Sequence, residues 1–433
     1  MNKSRKLLAL AASTVTAGVL LAGCSAGGGD DASGEVTLDV FRCTGCMPFD
    51  WQIEEFEAAN PTITIQVQEV PFGEFYDRTA VLATSANPPD VYVADQPTIP
   101  NLATDGVIAP LTDDLDAEYV DDMTDGAKAG LTWDGELYSP GPADGTFALY
   151  YNKAKLDAAG IAYPSTSLDE AWTWDEALAA MVTCQESNAD TYGLAPTQFG
   201  DGAPGPEYLT GMFLRSPGDP TAAEGSSEYN TYYAVSADGT SVEGYLNTDE
   251  AIAGAQLYQD IFQEYKVSPT TGVPNSFLDG GSCFEVSTST NIATLTNAEV
   301  DFEWGVTPFP YINTPITPNG SLALALGAKT DSREEAVAFI TFIATPEMQQ
   351  KALEETGYLP VLKSLYASEE LLQTPEAKVF TDELTEWAQP RPLTAGYLSY
   401  NSIVTAAMRD IALGADPADR LNDAVDELEP LLQ

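Results

Sequence analysis

The run YYNKAKLDAAGI at 150–161, together with SPGPADGT at 139–146 just before it, decides how the rest of the chain is read. Residues 148–151 are a short apolar run, the pattern of a buried strand. Asn152 follows and can cap a helix, because its side-chain oxygen accepts one of the unpaired N–H groups of a first helical turn. Upstream, Pro140, Gly141, Pro142 and Gly145 break any regular element, so the chain is expected to turn or to cross between two bodies there.

Two bodies are also what length predicts, since 433 residues exceed what one hydrophobic core usually supports. Strand and helix patterns alternate around that crossing. Residues 36–41 alternate as a strand, 49–59 (FDWQIEEFEAA) repeat apolar residues at helical spacing, and Pro61 ends the helix. ITIQVQEV at 63–70 has a clean period of two, 75–83 reads as a second helix, and 91–94 as a short buried strand after Pro88-Pro89-Asp90. This alternation predicts an α/β fold with mostly parallel sheets. Further on, 174–183 reads as a helix capped by Thr173, 193–220 as an irregular Gly- and Pro-rich stretch, and 229–244 as weakly patterned. A strong helix spans 249–265, and short strands are expected at 192–195, 284–289, 304–307 and 321–326. Helices are expected at 333–344, 346–355, 376–387, 402–413 and 418–428.

Acidic residues outnumber basic ones 66 to 18. A field of that sign repels polyanions and excludes nucleic-acid binding. It describes a solvated surface, with a cationic ligand as the other meaning. The chain has no histidine. Ser-His-Asp and Cys-His catalysis and every histidine-bearing zinc site are thereby excluded, and neither a metal nor another cofactor is expected. Carboxylate-only chemistry of the glycosidase kind survives that exclusion.

The N-terminus carries Lys3, Arg5 and Lys6, then an apolar stretch at 7–21 that is too short to span a bilayer comfortably. Leu21-Ala22-Gly23-Cys24 looks like a bacterial lipobox, which implies cleavage before Cys24 and its diacylation. Residues 25–34 (SAGGGDDASG) read as a tether. The expected product is lipid-anchored on the outer face of a membrane. Cys43, Cys46, Cys184 and Cys283 remain, an even number in an oxidising compartment, so two disulfides are expected. Of the three connectivities, Cys43–Cys46 with Cys184–Cys283 is preferred.

Taken in order, several segments resemble the extracellular solute-binding protein family 1, the maltose-binding-protein-like receptors of ABC importers. Residues 49–61 and 63–70 are similar to its opening helix, "NP" turn and second strand. PDVYV at 89–93 followed by Gly106-Val107-Ile108, WDGELYSP at 133–140 and LYYN at 149–152 resemble its next segments, and 321–364 its closing helical hairpin. The resemblance implies two α/β lobes joined by three hinge crossings, here near 140–145, 308–311 and 357–360. Residues 1–23 are then the signal peptide and 24–34 the tether. Lobe 1 comprises 35–142 and 310–357, and lobe 2 comprises 143–309 and 358–433. It further implies an oligosaccharide held in the cleft without chemistry, delivery to the permease subunits of an ABC transporter, and a monomer.

Sugars are gripped by aromatic faces and planar polar side chains at strand ends. On that ground Arg42 and Thr44, after the first strand, are candidates, as are Asp95 and Gln96 after the 91–94 strand. Asp144, Gly145 and Thr146 lie at the first crossing, and Gln198 and Phe199 follow the 192–195 strand. Ser287 and Thr290 occupy a segment where many family members place a stacking tryptophan. Tyr397, Tyr400 and Asn401 precede the expected 402–413 helix, where the resemblance puts the aromatic wall of the second lobe. Trp133, Trp172, Trp174, Trp304 and Trp387 read as core.

Competing readings are a carboxylate-dependent glycosidase, a receptor for a cation or peptide, and a redox protein built on the strand–CTGC–helix run at 43–46, which is similar to a thioredoxin-like arrangement.

Overall fold

The computed structural model describes residues 34–71, 74–195, 207–320 and 322–432. The signal peptide, Cys24 and most of the tether lie outside the described residues, as do Gln198 and Phe199.

The strands in chain order are β1 (Val36–Cys43), β2 (Ile63–Val70), β3 (Val91–Asp95), β4 (Ile108–Ala109), β5 (Thr132–Trp133), β6 (Glu136–Leu137), β7 (Phe147–Asn152), β8 (Tyr192–Leu194), β9 (Ser282–Thr288), β10 (Trp304–Thr307), β11 (Thr317–Asn319), β12 (Leu322–Gly327) and β13 (Ala388–Pro390). Lobe 1 is built on the sheet β2-β1-β3-β12-β4 and lobe 2 on the sheet β10-β7-β9-β8. β1 pairs in parallel with β2, from Val36 opposite Ile63 to Cys43 opposite Val70, and also in parallel with β3. All five residues of β3 are buried, as a strand covered on both faces requires.

The sheets are mixed rather than mostly parallel. β12 runs antiparallel to both β3 and β4, and β7 runs antiparallel to both β10 and β9, leaving β8–β9 as the parallel pair of lobe 2. Strands that arrive from the other lobe, as β7 and β12 do, enter from the hinge end. A βαβ crossover is the usual route to a parallel pair, and those strands do not use one.

β7 shows how its sequence sorts the core. Phe147, Leu149 and Tyr151 face one apolar cluster with Trp174, Phe213 and Met408, whereas Ala148 and Tyr150 face another with Phe277, Val306 and Phe380. That alternation is the period of two of a strand buried on both sides. The helix after it starts as its sequence predicts: the Asn152 side chain accepts from the Lys155 N–H at 3.2 Å, and Gly160 ends the helix in the left-handed region at φ 67°. Thr173 caps the Trp174–Ser187 helix in a reciprocal pair with Glu176.

Three passages join the lobes. The first separates Ala143, in the lobe 1 core, from Phe147, in the lobe 2 core. In the second, Phe309 and Ile316 still belong to the lobe 2 core and Ala323 to that of lobe 1. This passage therefore runs through β11, later than 308–311; Pro308 and Pro310 mark the end of β10. The third is a weave rather than a single step: Leu353 and Leu359 pack in lobe 2, Val361, Leu362 and Leu365 touch lobe 1 once more, and from Leu372 on the chain packs in lobe 2. β11 and β13 pair in parallel beside these passages, Thr317 opposite Ala388.

Disulfides join Cys43 to Cys46 and Cys184 to Cys283, the second tying the Trp174–Ser187 helix to β9.

Candidate functional site

The C-terminal end of β3 delivers Asp95 and Gln96 to the face of lobe 1 that meets lobe 2. The Phe75–Ala83 helix adds Tyr76, whose hydroxyl donates to Asp95 Oδ2 at 2.5 Å. From the β13 ladder beside the crossings comes Arg391, which is ion-paired to Asp95 with both side chains buried. Arg391 Nη1 also donates to the Tyr397 hydroxyl at 3.2 Å, and Tyr397 donates to Glu207 at 2.9 Å. Tyr397 belongs to the lobe 2 core, and Glu207 opens the Glu207–Arg215 helix. One continuous polar chain, Tyr76–Asp95–Arg391–Tyr397–Glu207, thus spans the two lobes.

Aromatic rings flank it. The Arg391 guanidinium lies 4.7 Å from the Tyr208 ring centroid and 5.7 Å from that of Tyr397, a cation against two π faces. Tyr400 stacks behind Tyr397 at 6.1 Å. The Tyr208 hydroxyl donates to the carbonyls of Gly145 at 3.0 Å and Gly320 at 3.3 Å, so the network also touches two of the crossings.

Electrostatics follow from burial. Desolvation works against the Arg391 charge, but Asp95, Tyr397 and Tyr76 outweigh it and hold its pKa up. Burial pushes the Glu207 carboxyl above the usual carboxylate range, opposed by Arg391 and the Tyr397 hydrogen bond. Burial also pushes Tyr76 up, helped by Asp95, so its hydroxyl stays a donor. Among the described residues, several buried polar atoms here have no hydrogen-bond partner: Gln96 Oε1, Thr146 Oγ1, Glu207 Oε1 and Arg391 Nε. Folded chains leave few such atoms, so their concentration at one place marks a site.

A sequence profile of bacterial extracellular solute-binding proteins matches residues 51–379. The chain belongs to that family. As a solute-binding protein it holds and releases its ligand, and it is not an enzyme. It is 23 % identical over 335 residues to the maltotriose-binding protein of Pyrococcus abyssi, an alignment covering 75 % of this chain and 64 % of that one. The GacH receptor of Streptomyces glaucescens, solved unliganded and with acarbose, is similar with a TM-score of 0.75 at 21 % identity, covering 92 % of this chain and 98 % of that one. UgpB from Mycobacterium tuberculosis in complex with glycerophosphocholine is similar with a TM-score of 0.74, also at 21 % identity and with the same coverage. Both likenesses show the two-lobed α/β fold of periplasmic binding proteins.

In this solute-binding protein the expected residues divide into two groups. Asp95, Gln96, Asp144, Gly145, Thr146 and Tyr397 lie together at the lobe junction, and Tyr400 packs behind them in the lobe 2 core. Arg42 does not join them. It ends β1 as a strand residue, paired to Asp50 at 2.6 Å and Glu69 at 2.9 Å, so its charge is used within lobe 1. Thr44 is exposed in the turn of the Cys43–Cys46 disulfide. Ser287 is half-buried in β9 opposite Ala148, and the Thr290 hydroxyl shares a hydrogen bond with Thr288 at 2.8 Å. Tyr397, Tyr400 and Asn401 are not in a loop before a helix. The helix spans Tyr397–Ala412, and Asn401 is half-buried in its second turn. Of the tryptophans, Trp174 is core at 2 % exposure, tilted against Phe213 and edge-on to Phe309, while Trp133 and Trp304 are half-buried.

Sequence reading missed Tyr76, Glu207, Tyr208 and Arg391. Glu207 and Tyr208 sit on a helix inside the stretch read as irregular. For Arg391 the scarcity of cations, 18 in the chain, is a usable signal, but it points to Arg42 equally. The CTGC segment is itself the turn that ends β1, and the next helix begins only at Asp50, four residues after Cys46, which departs from the strand–CTGC–helix arrangement. A groove of about 550 Å³, lined by Phe56, Asp114, Tyr119, Pro140 and Phe342 among others, is walled by lobe 1 alone. Closure of two lobes cannot grip a guest there.

Proposed function

We propose that this solute-binding protein is a lipid-anchored receptor that takes a neutral oligosaccharide between its lobes and passes it to the permease of an ABC importer. The observation that carries this reading is the polar chain between the lobes, with its flanking tyrosines and its unpaired Gln96, Thr146, Glu207 and Arg391 atoms. Hydroxyl groups are both donors and acceptors, so a sugar can pair a carboxylate, an amide oxygen and a guanidinium at once. Tyrosine faces suit the C–H surface of the same guest. The sugar class is also that of the maltotriose-binding relative and of the acarbose bound by the GacH receptor.

Charge discriminates against the other guests. Asp95 and Glu207 stand against Arg391, whose charge Asp95 already engages, and Arg215, whose guanidinium donates to the Tyr232 and Pro390 carbonyls. No surplus positive charge remains to hold a phosphate group such as that of glycerophosphocholine. Equally, Arg391 occupies the position between carboxylate and tyrosines that a cationic guest would need.

Calorimetric titration against maltose, maltotriose, maltotetraose, glycerophosphocholine and spermidine tests this. Saturable binding of at least one saccharide is expected, with none by the two charged compounds. Saturation by glycerophosphocholine or spermidine alone contradicts it. Anchoring rests on the lipobox-like Leu21–Cys24 run. Mass spectrometry of the membrane-bound protein should find a diacylglyceryl group on Cys24, and an unmodified Cys24 rejects the anchor.

A further inference from the structure

Asp144 is buried at 2 % exposure where the three crossings meet. Its Oδ1 accepts the N–H of Gly145 at 2.8 Å, on the first crossing, and that of Gly320 at 3.0 Å, on the second. Its own N–H donates to the Leu359 carbonyl at 2.8 Å, on the third. Oδ2 accepts the Thr124 hydroxyl at 3.4 Å, and the Asn319 amide lies beside the carboxyl. Among the described residues, no aromatic or cation hydrogen-bonds to the carboxyl; the Tyr208 hydroxyl donates to the Gly145 and Gly320 carbonyls instead.

We propose that Asp144 positions the hinge rather than the ligand, and that closing the lobes takes up a proton on its carboxyl. The proposal rests on the reading of the molecule as a receptor whose lobes close. The cage around the carboxyl draws on both lobes. Thr124 caps the Asp125–Gly130 helix, whose Ala127 packs in the lobe 1 core, and Tyr208 packs against the core of lobe 2. Opening separates those walls and admits water, which favours the carboxylate. Closing removes water and favours the neutral acid.

The surroundings allow that acid to titrate by itself. Its titratable neighbours are Tyr208, from the Glu207–Arg215 helix, and Tyr366, from the Lys363–Ser368 helix; burial pushes both up, so both stay neutral. Arg391 lies over the Tyr208 ring and is engaged by Asp95. Asp125 and Lys128, on the helix that Thr124 caps, pair outward with Lys363 at 3.8 Å and Asp121 at 3.9 Å. Burial pushes the Asp144 carboxyl up to about 6, against the hydrogen bonds from Gly145, Gly320 and Thr124 that pull it down. The closed form therefore binds more protons than an opened form whose Asp144 has the ordinary aspartate value near 4. Closure is favoured as pH falls through about 6, and ligand affinity rises with it.

Maltotriose binding by the full-length protein is measured at pH 7.5 and pH 5. About tenfold tighter binding at pH 5 than at pH 7.5 is expected of the wild type, the part reached at that pH of the roughly hundredfold limit that a shift from about 4 to about 6 sets. Asp144→Asn keeps the Oδ1 acceptor without the titration and should lose that tightening. An equal pH dependence in both proteins overturns the proposal. If maltotriose does not bind, the sugar reading fails by itself, and X-ray scattering of the ligand-free protein decides. A smaller radius at pH 5 in the wild type alone supports the hinge role, and matching radii in the two proteins reject it. Should Asp144→Asn not fold, carboxyl ¹³C titration of the wild type replaces it. A midpoint that lies lower without ligand and rises to about 6 with it is expected, and one that ligand does not move overturns the proposal.

Discussion

Replacing Arg391 with methionine is expected to cost about 3–5 kcal/mol of folding stability and to abolish ligand binding. The size follows from what is left behind. Asp95 and its partner are both buried, and without the guanidinium the Asp95 charge keeps only the Tyr76 hydroxyl. Water cannot restore the missing contact, so the desolvation of that carboxylate goes uncompensated. Tyr397 loses a donor and the Tyr208 ring its cation in the same step. Two further variants separate these causes. Asp95→Asn with Arg391→Met removes the orphaned charge and should recover most of the stability without recovering binding. Arg391→Lys keeps the charge but not the planar fork, and should recover less than the double variant does. Urea unfolding followed by intrinsic fluorescence measures each step. A loss below about 1 kcal/mol for Arg391→Met would mean that the pair is not closed in solution.

The second large effect is expected at the disulfides, and their ranking matters more than either value. Cys184–Cys283 closes a loop of 99 residues, whereas Cys43–Cys46 spans a separation of 3. Chain-entropy reasoning assigns about 4.7 kcal/mol to a loop near 100 residues and about 2 kcal/mol to the small one. The long loop also ties helix to sheet, since Cys184 lies in the Trp174–Ser187 helix and Cys283 in β9, both without exposure. Cys184→Ala with Cys283→Ala should therefore lower the urea midpoint markedly more than Cys43→Ala with Cys46→Ala. The opposite order would place the rigid staple of the molecule in the β1 turn.

Most of the α/β pattern is legible in the sequence because period-two and period-3.6 burial dominate it. β7, the Asn152 cap and the Thr173 capping pair follow from single residues at fixed positions. The Glu207–Arg215 helix is hidden for a physical reason. All of it but Tyr208 is buried, so it has no polar face to set against an apolar one, and the stretch around it is rich in Gly and Pro. The early start of the Tyr397–Ala412 helix is hidden for a similar reason. Its first buried residues are tyrosines, whose rings pack inside while their hydroxyls mimic a polar loop.

Strand direction is beyond what alternation can tell, because a strand that enters from the other lobe has the same composition as one that follows a helix. The junction residues divide along the same line. Asp95, Gln96 and Asp144 could be found because they follow or precede readable strands. Arg391 could not be told from Arg42, because the chain offers 66 acids as partners to either. Only the fold decides which acid each one meets.

A crystal structure of the protein with the saccharide that binds tightest in the titration tests the central claim most directly. The sugar is predicted to lie between the lobes, with hydroxyls on Asp95, Gln96 and Arg391 and a ring face on Tyr208 or Tyr397. Sugar seated in the Phe56–Tyr119 groove of lobe 1, with the Asp95–Arg391 pair undisturbed and the lobes apart, would contradict it.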